Sequence, residues 1–163
     1  MRRLHLMLQN HGCHGNRQPR GGWCPHCLRG KGCGIYAGRP DGCRTFLCGW
    51  LVNPRFGPEW KPDRSKIVIT IDRDGNGLTF QCDPGFPEAW RKEPYYGQIK
   101  NLAAIAARHD GSISVNSGRN LIIISAEREF ALGELGEQDE IVREYSGDRL
   151  TGVSVIKAGK TRR

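Results

Sequence analysis

The pattern of apolar and polar positions divides the chain near residue 66. Beyond that point, hydrophobic residues recur with the periods of regular structure. Lys66-Ile67-Val68-Ile69-Thr70-Ile71 is a β-branched run and predicts a strand. Leu78-Thr79-Phe80-Gln81-Cys82 alternates between apolar and polar, and Asp74-Gly75-Asn76-Gly77 supplies turn residues between the two runs. Together they predict a hairpin. Ile99, Leu102, Ala103 and Ala106 share one helical face. That helix is expected to open at Glu93-Pro94, with Pro94 at the first position where a missing N–H costs nothing. It is expected to end at His109-Asp110-Gly111, where His109 faces the final carbonyls. A strand over 112–115, a turn over 116–119 and an apolar strand over 120–126 follow. Residues 140–145 and 150–156 predict a last hairpin across Gly147-Asp148, while 127–129 and 134–140 read as solvated loop charges. The basic tail from Lys157 is expected to fray. No internal repeat is present.

Before residue 66 the periodicity disappears. That part holds 11 of the 22 glycines and six of the nine prolines. It reads as loops and short turns that need an external staple. The expected class is therefore α+β: an irregular, metal-stapled, cysteine-rich N-terminal segment packed on a small antiparallel sheet with one main helix. The expected divisions are a solvated, degenerate start over 1–22, a cysteine-cluster segment over 23–60 and an α+β domain over 61–163. A length of 163 residues suits one domain with such an annex.

Charge follows the same division. The formal net charge is +8, yet residues 1–66 carry 12 Lys and Arg against three acids, a local +9. No run approaches the ~18–20 apolar residues of a membrane span. The opening Met1-Arg2-Arg3-Leu4-His5-Leu6-Met7-Leu8-Gln9 is too short an apolar stretch for a secretion signal. These features point to a cytoplasmic protein without membrane association. Glycine lacks a triplet period, which excludes collagen.

Cysteine carries the chemistry. The spacing is Cys24-x2-Cys27-x5-Cys33-x9-Cys43-x4-Cys48, with Cys13 upstream and Cys82 apart in the predicted hairpin. A Cys-x2-Cys pair lets two thiolates reach one metal from a tight turn. Tetrahedral zinc takes four such ligands, and an iron–sulfur cluster takes four thiolates. Zinc and iron–sulfur both stay open, because sulfur suits each. The candidate ligands are Cys24, Cys27, Cys33, Cys43, Cys48 and Cys13, with His11 and His14 as substitute donors. His26, Arg39 and Arg44 are expected to support the site from outside. Arg29, Lys31, Arg39 and Arg44 lie close in sequence and are expected to offset thiolate charge and favour the thiolate form. Unliganded free cysteines are one competing reading, and a disulfide framework is the other. The odd total of seven cysteines and the lack of a secretion signal weigh against it. Ile35, Tyr36, Phe46, Trp50 and Leu51 are expected to form a small core around the metal, and Cys82 to be a core thiol.

The stretch Gly32-Cys33-Gly34-Ile35-Tyr36-Ala37-Gly38-Arg39-Pro40-Asp41-Gly42-Cys43-Arg44-Thr45-Phe46-Leu47-Cys48 resembles the signature of the YkgJ-type cysteine-cluster family, and Trp23-Cys24-Pro25-His26-Cys27 is also similar. The resemblance covers about residues 23–51 and implies a zinc- or iron-chelating domain. One departure stands out. The family has a dense cysteine cluster upstream, where this chain has only Cys13 within Gln9-Asn10-His11-Gly12-Cys13-His14-Gly15-Asn16-Arg17.

Other motifs are weaker. Asp72-Arg73-Asp74-Gly75-Asn76-Gly77 matches half a calcium loop, but position twelve is Asp83 rather than a bidentate Glu. No nucleophile elbow, phosphate loop or dinucleotide fingerprint occurs, so a binding protein is expected rather than an enzyme. Two alternatives remain. Nucleic-acid binding is suggested by the basic first part with Trp23, Trp50 and Trp60, but its arginines sit among thiolates. An iron–sulfur redox or modification enzyme, or its accessory, is implied by the cysteine region that flagellin lysine methylases share with the family. An unidentified protein partner fits either picture.

Overall fold

Alternation along four strands of a five-stranded sheet builds one apolar face, and that face decides the architecture. The computed structural model describes residues 24–28, 31–72, 75–136, 138–147 and 149–158. The elements of its main sheet are β3 (Ile67–Ile71), β4 (Gly77–Cys82), β5 (Ser112–Ser117), β6 (Asn120–Ile124) and β7 (Glu129–Gly133), in that spatial order. Register aligns Ile69 with Phe80, Phe80 with Val115 and Val115 with Ile122 across four strands. Because side chains alternate, these residues share one face with Ile67, Cys82, Ile113 and Ile124, and all are buried. The opposite face is polar at its centre. There Thr79 Oγ1 and Ser114 Oγ lie 2.8 Å apart, and Asn116 Nδ2 donates to Gln81 Oε1 at 2.7 Å.

Helix α4 (Tyr95–Ala106) covers the apolar face. Ile99 and Ala103 are buried, with Leu102 and Ala106 packed beside them. The periodicity read from the sequence therefore matches the buried stripe. Pro94 serves as the N-cap residue rather than the first helical one. A short 3-10 turn over Ala107–His109 follows, and Asp110 at φ 52° turns the chain back. Gly111 is required there, since a Cβ would come within 2.6 Å of the Asn76 carbonyl oxygen.

The sheet is not purely antiparallel, which corrects the expectation. β4 and β5 run parallel. The reason is the connection: helix α4 carries the chain back along the sheet before β5 starts, as a crossover must. A second correction concerns residues 127–129. Glu129 begins β7 rather than lying in a solvated loop. Arg91 grips its carboxylate through Nη2 at 2.9 Å and Nη1 at 3.3 Å, and the Tyr96 hydroxyl donates to it at 2.9 Å. These bonds satisfy the charge and tie β7 to the turn before α4.

The last hairpin forms as a separate ribbon, β8 (Glu140–Ser146) with β9 (Arg149–Ile156). Its base is held by Asp139. That carboxylate accepts Lys157 Nζ at 2.6 Å, Gly136 N at 2.8 Å and Ala158 N at 3.1 Å. The Lys157 bond first, then the two backbone bonds, depress its pKa to about 2. A depressed carboxylate stabilises the fold fully above its unfolded pKa of ~3.9, and loses that contribution as pH falls through the folded value. We expect Asp139→Asn to speed amide exchange in β8 and β9 at neutral pH while β3 to β6 stay protected. In the parent protein the same loosening should set in between about pH 4 and pH 2. Unchanged hairpin exchange in the variant would show that Asp139 anchors nothing.

Candidate metal centre

Glycine, proline and cysteine leave the described residues between 24 and 60 as short pieces, and those around Cys48 to Val52 pack on one sheet edge. Strands β1 (Cys27–Leu28) and β2 (Gly32–Cys33) make a small antiparallel ribbon. Helices α1 (Asp41–Thr45), α2 (Gly49–Val52) and α3 (Pro62–Ser65) follow, with single 3-10 turns over Tyr36–Gly38 and Pro58–Trp60. Phe56 and Trp60 reach into the sheet–helix core, so that core begins before residue 61.

The ribbon places three of the cysteines near one another in the backbone. Cys24 is followed by a turn at Pro25-His26, and Cys27 then pairs with Cys33 across the strands. The Gly34 N–H donates to the His26 carbonyl at 2.8 Å, and Lys31 N–H to the Leu28 carbonyl at 2.9 Å, which closes the loop. Cys24 is buried and Cys33 is half-buried, both as free thiols. Of Cys27 only the backbone is described, and Cys13, His11, His14, Trp23 and Arg29 lie outside the described residues.

Cys48 stands elsewhere, fully buried against Val68 with Phe46 and Trp50 around it. Strand register explains its position. Val68 and Thr70 bond to β4, so the N–H of Ile69 faces the open edge of β3. The Cys48 sulfur meets that N–H, together with those of Trp50 and Leu51 in the first turn of α2. Burial raises the thiol pKa, and the three N–H groups oppose the rise. Gly49 permits the approach: a Cβ there would lie 2.8 Å from Ile69 Cγ2. Cys48 thus covers a sheet edge that would otherwise present unpaired donors.

Cys43, in α1, carries its sulfur in a disulfide, so in this form it offers no thiolate to a metal. Arg44 beside it hydrogen-bonds the Arg39 carbonyl through Nε at 2.9 Å and the Ala37 carbonyl through Nη2 at 3.0 Å. Those bonds fix the loop between Cys33 and Cys43. Arg39 stacks its guanidinium 4.1 Å over the Tyr36 ring. His26 is half-buried and contributes its carbonyl to the loop closure.

Among the described residues, no three Cys, His, Asp or Glu side chains gather closely enough to hold an ion. The expected apolar core around a metal also forms only in part. Phe46 and Trp50 pack beside Cys48, but Ile35, Tyr36 and Leu51 are exposed, at 36%, 55% and 49%. Cys82 is a core thiol on β4, pushed up to about 12 chiefly by burial. A thiol held that far above neutral pH is a poor ligand. The half calcium loop coincides with the β3–β4 turn, where Asp72 N–H donates to the Gly77 carbonyl at 2.9 Å.

No helix among the described residues is long and apolar enough to cross a membrane. No family model, curated protein or solved structure matches the chain.

Proposed function

We propose that the chain is a small metal-binding protein whose cysteine-rich segment holds zinc or an iron–sulfur cluster, with the α+β part as its scaffold. The observation that carries this reading is the 24–34 ribbon. Cys24 and Cys27 flank a single turn, and Cys33 returns opposite Cys27. Three sulfur donors from so short a loop suit a tetrahedral thiolate site. The fourth donor comes from Cys48 or Cys13, or from Cys43 once its disulfide is reduced. Arg44 supports this reading by locking the loop carbonyls around Arg39, and the resemblance to cysteine-cluster proteins supports it further. A bound metal would supply structural order here: zinc as a closed tetrahedral centre, or a cluster as a thiolate-bridged core.

The free energy of binding then becomes folding free energy for the segment. Full-length protein purified without oxygen should contain close to one equivalent of zinc, or iron with an absorption band near ~400 nm. Metal below about half an equivalent would sink the proposal.

A second reading follows from the disulfide at Cys43. Here a disulfide staples the segment and no metal binds. Intact mass after alkylation without reductant separates the two, because thiols on a metal take up alkyl groups once it is chelated, whereas disulfides do not.

A further inference from the structure

We propose that the cavity between residues 55–59 and helix α4 binds an α-amino acid with an apolar side chain. This site is separate from the cysteines and does not depend on the metal reading. The cavity is open on one side and holds about 510 Å³. That falls within the ~300–1,000 Å³ typical of small-ligand sites. Phe56, Leu102 and Ile105 are its apolar lining residues, and Arg55, Glu59, Gln98 and Asn101 its polar ones.

The polar groups are complementary to a zwitterion. Among the described residues, Arg55 and Glu59 form no salt bridge with each other or with any third group. A cationic and an anionic residue thus line one cavity with no ion pair between them. Gln98 is oriented by the core: its Oε1 accepts the indole N–H of Trp60. Its amide nitrogen is left with two donors, because the carbonyl end is already used. Arg55 and Gln98 therefore suit a carboxylate, and Glu59 suits an ammonium. The apolar lining takes the side chain between them. A simple organic acid would leave Glu59 unmatched, and a simple amine would leave Arg55 unmatched. Each mismatch costs a charge-assisted hydrogen bond.

The test is an NMR titration of the full-length protein with L-phenylalanine, 3-phenylpropanoate and L-phenylalaninamide. L-Phenylalanine should shift amides in 55–60 and 95–106. Both analogues should bind at least about tenfold more weakly, as loss of one charged contact predicts. Arg55→Gln should weaken the amino acid and the acid while sparing the amide. Glu59→Gln should weaken the amino acid and the amide while sparing the acid. Thermal midpoints of both variants should match the parent, since neither side chain lies in the core. No shift up to ~10 mM, shifts confined to other regions, equal binding of all three probes, or variants without these opposite effects would each overturn the proposal.

Discussion

Replacing Trp60 by alanine should destabilise the protein by about 4 kcal/mol, measured by urea unfolding. Trp60 is fully buried at the point where the cysteine-rich segment meets the sheet. Its ring centroid lies 5.4 Å from Phe56, 5.3 Å from Phe80 and 4.9 Å from Tyr95. Removal of the ring leaves a large void against three aromatic neighbours, and Trp→Ala changes in cores cost ~3–5 kcal/mol. The indole N–H also satisfies Gln98, whose half-buried carbonyl oxygen would lose its donor. The Trp60 carbonyl meanwhile accepts Ser65 Oγ at 3.2 Å, which sets the turn into β3. Against a total stability of ~5–15 kcal/mol, such a loss is a large share. Trp60→Phe should cost less, because the ring volume is mostly kept and only the hydrogen bond goes. A loss below about 1 kcal/mol for the alanine variant would remove Trp60 from the core.

What the sequence disclosed about the fold depended on periodicity. Strands β3 to β6 and helix α4 were legible because Ile67, Ile69, Phe80, Ile99, Ala103, Val115 and Ile122 keep a period of two or 3.6. Strand β7 was not legible. Its residues Glu129-Phe130-Ala131-Leu132-Gly133 open on a charge and are short. Glu129 is tolerated there only because Arg91 and Tyr96, more than thirty residues earlier, reach it. No local pattern announces a partner that distant. The parallel β4–β5 pair was hidden for a similar reason, since direction is a property of the connection and not of either strand. Gly49 and Cys48 show the same limit at the candidate site. Spacing marked Cys48 as a ligand, but its burial against Val68 and its contact with the Ile69 N–H come from packing on the β3 edge. The turn between Cys24 and Cys27 was readable from their spacing, whereas the pairing of Cys27 with Cys33 was not. The cavity beside α4 gave no signal at all, as its groups come from segments about forty residues apart.

Cys24→Ser and Cys27→Ser should each remove the metal, to below about a tenth of an equivalent, and should release residues 24–52 without unfolding the sheet. Apart from the disulfide at Cys43, the segment has little else to hold it. Between residues 24 and 52, only Cys24, Cys48 and Gly49 are buried among the residues whose side chains are described. Leu28, Leu47, Leu51 and Val52 stay about half exposed or more, at 51%, 61%, 49% and 48%. Apolar burial of that extent does not offset the backbone entropy of ordering nearly thirty residues, at ~1–2 kcal/mol each. The sheet beneath has its own core of Ile67, Phe80, Val115 and Ile99, and should keep its exchange protection. The exception is β3, whose open edge loses the Cys48 cover, so the variants should also aggregate more readily. Cys82→Ser is the control: it should lower stability modestly and leave the metal in place, because that thiol lies in the sheet core. Cys48→Ser separates two roles. If Cys48 only covers the β3 edge, metal stays near one equivalent while exchange at Ile69 rises; if it ligates, metal goes as well. The disulfide at Cys43 sets the sharpest contrast. A segment that stays ordered without metal but opens under reductant is stapled by that bond, and a segment that opens with chelator under reducing conditions is stapled by the ion.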